Sequence, residues 1–450
     1  MKESRYNVWV EREDNAYVYN GVSGALLRLG VEEREGLNRF VAGEDGTCSQ
    51  ELLEKLTLGR MLVGDGRDEL ALLQTRYQFS RSDPGHLGLT LVTSLGCNLD
   101  CPYCFEAKHP SIMSADVEAA ILQLLDDSLP RLRDLAVTWY GGEPLVGKRP
   151  LLDLSDRFIE RCDAHGVWYQ ASIVTNGYLL DPETCQELAG RRVAFAQVTL
   201  DGPPDTHDRM RPRVGGKPSF WRIVENLTHA VDFLGVGVRM NVDTANFGGA
   251  EELMRILADQ GLAGRLTIYP GQLVSYPENL SAPSATYKPR CFSNAEFATA
   301  ELEFTALAAR YGFASPSVPS PSGAPCTAVR ANELIVGSEG ELYKCWNDVG
   351  NPRSRVGDIR DYANLNGRLA RWLKYDPFSN AECRSCIALP VCMGGCAAHA
   401  MDHLQYENRC GTFRHTYKEQ VLRFVDAAEA GGGEGTASVP VRLVPRMETR

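Results

Sequence analysis

Residues 89–104 read LTLVTSLGCNLDCPYC, in which an apolar strand candidate runs directly into a loop with three cysteines. Cys97, Cys101 and Cys104 have the spacing C-x3-C-x2-C. Three thiolates on one short loop can hold three irons of a 4Fe–4S cube and leave the fourth iron open for a ligand. The spacing alone fits equally well a zinc site that lacks one ligand.

Apolar runs and helical patterns alternate from this stretch onward, over residues 88–270. The candidate strands are Leu89–Thr93, Leu135–Trp139, Ala171–Thr175, Ala196–Leu200, Val236–Val242 and Leu266–Tyr269. The helical patterns between them are Ala115–Asp127, Leu152–Ala164, Phe220–Phe233 and Ala250–Gln260. Such alternation predicts an α/β fold with a parallel sheet. In such folds the site lies at the carboxyl ends of the strands.

Residues 1–85 predict a separate small α+β module. A strand pair is followed by two helical stretches and a short apolar run, at Tyr6–Val10, Ala16–Tyr19, Ser23–Phe40, Ser49–Leu56 and Met61–Val63. The apolar run ends at a Gly-Asp-Gly turn, which closes the pattern. We therefore expect this module to be removable without loss of the rest of the protein.

The region after the alternating pattern has three parts. Residues 271–325 predict a helix near Ala295–Tyr311 and then a Ser/Pro-rich linker at Ser315–Ser322. Residues 326–430 are rich in Cys and end in a helical stretch. The Gly-rich residues 431–450 are expected to be disordered.

Bulk properties of the 450-residue chain exclude several classes of protein. The formal net charge of −11 argues against a nucleic-acid binder. No apolar run is long enough to span a membrane, and the N-terminus lacks the apolar core of a signal peptide, so a cytoplasmic location is expected. A reducing cytoplasm disfavours disulfides, so the 14 cysteines are expected to bind metal or act in redox chemistry.

A second group of cysteines lies near the carboxyl end. It comprises Cys326, Cys345, Cys383, Cys386, Cys392, Cys396 and Cys410. Seven thiols are nearly enough for two sites with four ligands each. A pair of zinc knuckles is the simpler alternative.

CNLDCPYC resembles the signature of the radical S-adenosylmethionine (SAM) superfamily, including the aromatic residue before the last cysteine. The resemblance covers about residues 88–412. It implies a partial (β/α)6 barrel in which the open iron chelates the amino and carboxylate groups of SAM. An electron from a flavodoxin or ferredoxin-type donor would then release a 5′-deoxyadenosyl radical.

Further segments after the predicted strands match the same family. Gly141, Gly142 and Glu143 begin a GGEP motif, which by resemblance binds the SAM amino group. The resemblance also implies that Thr199 and Arg211 hold the SAM carboxylate, and the guanidinium fork of Arg suits this role. Three more candidates for SAM contact are Asn176, near the ribose, and Arg239 and Asn241, which alternate with apolar residues on the fifth strand.

The cysteine-rich region resembles the SPASM domain of radical SAM enzymes that modify peptides and proteins. By resemblance, one auxiliary cluster takes the four ligands Cys383, Cys386, Cys392 and Cys410. The other takes Cys326, Cys345 and Cys396, which leaves it one thiolate short. Its fourth position is open, filled by Cys291 or filled by a substrate thiolate. Three iron–sulfur clusters are therefore expected, each a 4Fe–4S cube.

Two activities fit this resemblance. The first is maturation of a ribosomally made precursor peptide through thioether or carbon–carbon crosslinks. The second is anaerobic sulfatase maturation, which oxidises Cys or Ser to formylglycine. Residues 1–85 favour the first, because they resemble a winged-helix-like module that binds leader peptides as an added strand. Trp346 favours it too, because sulfatase-maturating enzymes have Asp as a base at the matching position. A non-catalytic iron–sulfur electron carrier is a third possibility from another class, although a carrier needs no open iron.

Overall fold

The computed structural model describes residues 1–275, 282–313, 319–403 and 405–430. The predicted disordered tail and the first half of the predicted linker Ser315–Ser322 lie outside these residues. The described chain forms two compact units. The barrel unit contains residues 82–275, 282–313 and 326–375, and the terminal unit contains residues 1–81, 319–325 and 376–430. Residues 326–430, predicted as one domain, are thus shared between the two units.

The terminal unit begins with short strands and three helices. The strands are β1 (Lys2–Glu3), β2 (Asn7–Arg12), β3 (Asn15–Asn20), β4 (Leu26–Gly30) and β5 (Leu62–Val63). The helices are α1 (Val31–Val41), α2 (Gln50–Leu58) and α3 (Glu69–Arg81). Strands β2, β3 and β4 form an antiparallel sheet in that order, and β1 pairs with β5. The predicted strand pair is therefore present.

The predicted helix over Ser23–Phe40 is wrong in its first half, where the chain forms β4. Leu27 pairs with Val18 of β3, and Leu29 is completely buried. The helix starts only after Gly30, whose backbone N–H donates to the Glu33 side chain at 2.9 Å. The pattern of a short leucine-rich run is compatible with a strand or a helix. Here the run forms a strand because it pairs with β3.

The barrel unit contains the predicted alternation of strands and helices. Its strands are β6 (His86–Ser94), β7 (Asp134–Gly141), β8 (Trp168–Thr175), β9 (Val193–Thr199), β10 (Gly235–Val242), β11 (Thr267–Gln272), β12 (Glu333–Val336), β13 (Glu341–Tyr343) and β14 (Gly357–Asp358). Its helices are α4 (Ala115–Ser128), α5 (Lys148–His165), α6 (Pro182–Gly190), α7 (Pro204–Met210), α8 (Phe220–Ala230), α9 (Ala250–Asp259), α10 (Asn294–Arg310) and α11 (Arg368–Leu373).

One nine-stranded sheet organises this unit, in the order β11-β10-β9-β8-β7-β6-β12-β13-β14. Strands β6 to β11 are all parallel, which confirms the α/β class and the six βα units. Strand β12 extends the sheet parallel to β6, and β13 and β14 follow antiparallel. The polar ends of the six parallel strands therefore meet at one edge.

The last helices of the described residues belong to the terminal unit, three short ones and one long one: α12 (Ala381–Ser385), α13 (Leu389–Cys392), α14 (Ala397–Ala400) and α15 (Phe413–Ala430). They share a core with the N-terminal sheet, since Val8 and Tyr19 belong to the same buried cluster as Phe413 and Val421. Within the described ranges, no helix has the length and apolar character needed to cross a bilayer.

Candidate active site

A cavity of about 240 Å³ lies at the carboxyl edge of the parallel sheet. The carboxyl ends of β6 to β11, or the segments directly after them, contribute to its wall, as expected for a site in a parallel α/β fold. The predicted SAM and cluster residues that line it are Cys97, Cys101, Cys104, Gly141, Gly142, Asn176, Thr199, Arg211, Arg239 and Asn241. The structure thus gathers around one cavity residues that are far apart in the sequence.

The three cysteines of the loop after β6 face a largely dry environment. Burial raises the pKa of Cys97 to about 11 and that of Cys104 to about 12, and it raises the pKa of Cys101 as well. In the protein alone the thiols therefore keep their protons. A bound metal would remove these protons, because a coordinating thiol is deprotonated outright.

The glycine pair after β7 permits a close backbone approach to the cysteine loop. The backbone N–H groups of Gly142 and Glu143 donate to the carbonyls of Ser94 and Gly96, both at 3.0 Å. A Cβ on Gly142 would lie 2.6 Å from the carbonyl oxygen of Leu95, which is too close for any side chain. Residues other than glycine would push the end of β7 away from the cluster loop.

Glu143 has a different place from the one expected. It is completely buried and is absent from the cavity wall. Its carboxylate accepts hydrogen bonds from the Thr175 hydroxyl and the Asn176 backbone N–H, both at 2.7 Å, and from the Leu145 N–H at 3.1 Å. In the protein alone this carboxylate joins the ends of β7 and β8, and its binding of the SAM amino group stays a prediction.

Asn176 connects β8 to the cysteine loop. Its side-chain amide donates to the Asn98 side chain at 2.7 Å, and its own oxygen accepts from the Tyr178 N–H at 2.9 Å. Asn98 follows Cys97 directly, so this contact fixes the loop at its first cluster cysteine. Asn176 therefore lines the cavity with both ends of its amide engaged.

Arg211 lies at the cavity wall near Thr199. Its Nη1 is 3.7 Å from a carboxylate oxygen of the completely buried Asp201. Its Nε is buried and has no hydrogen-bond partner among the described residues. A buried donor without a partner is costly, so this nitrogen indicates a ligand with an acceptor group. Arg239 and Asn241 face the same cavity from β10, where the Arg239 Nε donates to the Asn241 side chain at 2.9 Å.

These observations test whether the residues fit SAM and an iron–sulfur cluster. A partnerless Arg nitrogen suits the SAM carboxylate, and three thiols of one loop suit a cube with an open iron. Within the described ranges, no three His, Cys, Asp or Glu side chains converge as ligands of one metal ion would.

Sequence reasoning missed Glu106 and Tyr140, which also line the cavity. The Tyr140 ring packs against Trp346, with 4.7 Å between the ring centroids. Glu106 is 3% exposed, and its Oε2 has no partner among the described residues. Burial raises the pKa of Glu106 to about 8. In the sequence, only the position of Glu106 two residues after Cys104 could have indicated that Glu106 lines the site.

In the terminal unit, the four cysteines of the first predicted auxiliary set lie close together. The pKa of Cys383 is raised to about 11, mainly by burial and also by the nearby Cys392, Cys410 and Cys386. The Arg414 side chain donates to the Cys410 sulfur at 3.0 Å. A cationic donor at a sulfur offsets the negative charge that a thiolate ligand carries.

The second predicted auxiliary set is divided between the two units. Cys326 and Cys345 belong to the barrel unit, and Cys396 belongs to the terminal unit. Burial raises the pKa of Cys396, but the hydrogen bond with His399, the charge of His399 and nearby backbone N–H groups together outweigh it, so the pKa is lowered overall. Cys291 lies in an exposed loop before α10. The ligand set of this cluster, and its fourth ligand, stay predictions.

Comparisons with known proteins agree with this geometry. Residues 91–263 match the Radical SAM superfamily. The chain is 23% identical to the serine-type anaerobic sulfatase-maturating enzyme of Klebsiella aerogenes over 323 residues, which are 67% of this chain and 77% of that relative.

Two solved structures have the same fold. Native anSMEcpe with bound AdoMet and Kp18Cys peptide has a TM-score of 0.56 at 17% identity, over 76% of this chain and 99% of that chain. Streptococcus suis SuiB bound to precursor peptide SuiA has a TM-score of 0.51 at 13% identity, over 89% of this chain and 97% of that chain. Residues 91–263 are therefore a radical SAM domain, and the chain is homologous to the anaerobic sulfatase-maturating enzymes.

Proposed function

We propose that this radical SAM enzyme modifies a ribosomally made peptide and forms a thioether or carbon–carbon crosslink in it. One observation carries the proposal. Trp346 stands directly after Cys345, at the position where sulfatase-maturating enzymes have Asp by resemblance, and it packs against Tyr140 in the cavity wall. An indole has only a donor N–H and cannot accept a proton as that Asp would. This difference supports crosslink formation over formylglycine formation.

Cofactor binding falls to the loop cysteines and the wall around Arg211. When bound, SAM and the cluster supply a 5′-deoxyadenosyl radical, which removes a hydrogen atom from the substrate. Gly141 and Gly142 present backbone groups for the amino end of SAM, and Thr199 and Arg211 orient its carboxylate.

Three clusters are part of this proposal. The loop cysteines would hold one, and the cysteine-rich region would hold two auxiliary clusters. Four irons for each cube give about twelve irons per chain after anaerobic reconstitution. About eight irons would mean that one predicted auxiliary cluster is absent. A flavodoxin or ferredoxin-type donor would supply the electron.

The peptide partner would bind the open edge of the N-terminal sheet. Strand β4 is an edge strand, and Asn20 donates to the Ala25 carbonyl at 2.9 Å, which marks a hydrogen-bonded pair. Because such pairs alternate, Leu27 points its backbone groups to β3 and Arg28 points them outward. An added peptide strand would therefore use the Arg28 backbone.

Substitutions at Arg28 test this contact. Arg28→Pro removes the outward N–H without removing a bond to β3, whereas Arg28→Ala keeps the N–H and serves as the matched control. We expect the proline variant to weaken binding of a fluorescein-labelled precursor peptide, encoded beside the gene, by about tenfold or more, measured by anisotropy. Equal binding by both variants would exclude this edge as the leader site.

The type of reaction is tested by product analysis after incubation with SAM and a reductant. One arm uses precursor peptides from short reading frames beside the gene, and the other uses a synthetic sulfatase peptide with the target Cys or Ser. A crosslink removes two hydrogen atoms and joins two residues, so the product resists sequencing across the link. Formylglycine is an aldehyde, which a hydrazide reagent captures.

Anaerobic sulfatase maturation stays the second candidate function, because the homology to the Klebsiella aerogenes enzyme favours it. Hydrazide capture of the sulfatase peptide, with the precursor peptides unchanged, would replace the crosslinking proposal by this one. A non-catalytic electron carrier would form no 5′-deoxyadenosine in either arm.

A further inference from the structure

The hydroxyl of Tyr103 is a three-way junction inside the cluster motif. It donates to Asp201, and it accepts from Nη1 of Arg211 and from the side-chain amide of Asn241. The amide of Asn241 is oriented by Arg239, which donates to its oxygen at 2.9 Å. A phenol hydroxyl has one donor and two acceptor sites, so this junction uses all of them. The hydroxyl hydrogen has to point to Asp201, because the other two partners are donors.

Arg211 is fixed on its other sides as well. Its backbone N–H donates to the His207 carbonyl at 2.6 Å, and its carbonyl accepts from the Ser219 hydroxyl at 2.8 Å. Ser219 is in turn 3.0 Å from Nε2 of the completely buried His207. Backbone and Nη1 are therefore held, and Nε is left as a buried donor without a partner among the described residues.

A guanidinium binds a carboxylate with two parallel N–H groups, through either of two edges. One edge uses Nη1 and Nη2, and the other uses Nε and Nη2. Tyr103 already engages Nη1, whereas Nε is a buried donor without a partner among the described residues, so the edge with Nε is the one left for a ligand in the cavity. We propose that Tyr103 is a positioning residue for SAM: its hydroxyl, oriented by Asp201, fixes Arg211 so that the Nε edge binds the SAM carboxylate.

The ring of Tyr103 and its hydroxyl have separate roles in this arrangement. A phenylalanine would keep the ring beside the cluster cysteines but would leave the Arg211 and Asn241 donors without an acceptor. Nη1 of Arg211 is already 3.7 Å from Asp201, so the guanidinium would turn toward that carboxylate. This turn would move Nε out of line with the SAM carboxylate.

The test compares two ligands on reconstituted enzyme kept anaerobic. Equilibrium dialysis gives the Kd of SAM and of decarboxylated SAM, which lacks the carboxylate, for the wild type, Tyr103→Phe and the control Tyr169→Phe. Tyr169 is buried on β8, away from the cavity wall. We expect Tyr103→Phe to raise the Kd of SAM about tenfold and that of decarboxylated SAM less than about twofold, as for one lost charge-assisted contact.

Two further readouts separate positioning from a merely structural role. Iron content should be unchanged in Tyr103→Phe, since the phenol is not a ligand. The rate of 5′-deoxyadenosine formation at saturating SAM should stay near that of the wild type while the KM for SAM rises. The EPR change that SAM produces in the reduced cluster should need a higher SAM concentration.

Asp201→Asn provides a second variant that keeps the phenol. It replaces one of the two acceptor oxygens by a donor, so the hydroxyl of Tyr103 loses its fixed direction. We expect Asp201→Asn, too, to raise the Kd of SAM more than the Kd of decarboxylated SAM. An unchanged Kd for SAM in both variants, or an equal loss for both ligands, would overturn the proposal.

Discussion

At the scale of single residues, burial of the loop cysteines favours the protonated thiol as long as no metal is bound. Burial raises the pKa of Cys97 and Cys104 to about 11 and about 12. Deprotonation therefore has to be driven by the iron, and removal of one thiolate leaves a site that the other two do not restore.

Substitution of Cys97, Cys101 or Cys104 by Ala should abolish SAM cleavage. Anaerobic reconstitution followed by an iron assay and chromatography of 5′-deoxyadenosine measures this. Cys185→Ala is the control, because it removes a buried thiol from α6 outside the cavity. Wild-type cleavage in the triple variant would contradict the assignment of the loop.

Glu106→Gln should separate substrate chemistry from SAM chemistry. The partnerless Oε2 of Glu106 lies on the cavity wall near Tyr140 and Trp346. We expect peptide product to fall at least about tenfold, because a buried group contacting substrate is altered. Uncoupled 5′-deoxyadenosine formation should change less than about twofold. Glu118→Gln is the control, because it changes a buried carboxylate of α4 that pairs with Arg149 outside the cavity. An equal loss of peptide product and of 5′-deoxyadenosine formation would mean that Glu106 acts in SAM binding or cleavage and not on the peptide.

At the scale of elements, turns and strand ends decide which cysteines can meet. The turn from Met393 to Gly395 has three successive left-handed residues, with φ of 45°, 90° and 67°. It reverses the chain between Cys392 and Cys396. The Cys396 N–H then donates to the Arg409 carbonyl at 2.8 Å, which brings Cys396 beside the segment before Cys410.

Gly395→Ala should disrupt this turn. A Cβ there would lie 1.9 Å from the Arg409 carbonyl oxygen, and φ is unfavourable as well. We expect loss of about four irons per chain, the content of one auxiliary cube, with SAM cleavage retained. Gly411→Ala is the matched control, because nothing lies within 4 Å of its added Cβ. Full iron content in Gly395→Ala would contradict the role of this turn.

A second junction of elements depends on pH. His86 at the start of β6 contacts Asp134 on β7 and Glu333 on β12, the latter at 3.4 Å. Hydrogen bonds to Glu333 and Asp134 raise the pKa of His86 above its usual value, although burial opposes them. The stabilisation is therefore complete below about pH 6.5 and is lost as the pH rises through the raised pKa.

His86→Gln should accordingly lower the thermal midpoint more at pH 6 than at pH 8.5. Differential scanning fluorimetry of the reconstituted enzyme, with the wild type in parallel, measures the two differences. A larger drop in the thermal midpoint at pH 8.5 would mean that the charged form of His86 does not stabilise the contact between β6, β7 and β12.

At the scale of the whole molecule, the N-terminal module is not an independent appendage. Val8, Val10, Tyr17 and Tyr19 share a buried cluster with Phe413, Val421 and Val425 of the carboxyl-terminal helix α15. The Tyr19 and Phe413 rings lie 6.2 Å apart. The expectation that residues 1–85 can be removed cleanly is therefore revised.

Deletion of residues 1–85 should expose this apolar cluster and destabilise the segment with the auxiliary cysteines. Loss of several large apolar contacts costs about 2–5 kcal/mol each, more than most domains can spare. We expect poor yield and a loss of about four irons per chain, seen by iron assay and size-exclusion chromatography. Val8→Ala with the full chain is a milder comparison. A monomeric truncated protein with all its iron would show that the shared core is dispensable.

The sequence by itself determined the parallel α/β architecture and the radical SAM chemistry. Both are written in short-range patterns: strand and helix periodicity for the first, and CNLDCPYC with GGEP for the second. Such patterns are local, because one loop or one strand end supplies all their atoms. For the same reason, the sequence placed Cys97, Arg211 and Asn241 near one site without saying how they touch.

Only the tertiary structure decided the assignments that depend on distant partners. Residues Leu26–Gly30 form a strand because they pair with the edge of β3. Glu143 is buried outside the cavity wall, where its carboxylate accepts hydrogen bonds from Thr175 and Asn176. Glu106 and the hydroxyl of Tyr103 gained their roles from burial and from neighbours up to 138 residues away. Hydrogen-bond partners and desolvation are properties of the packed chain, so no local pattern contains them.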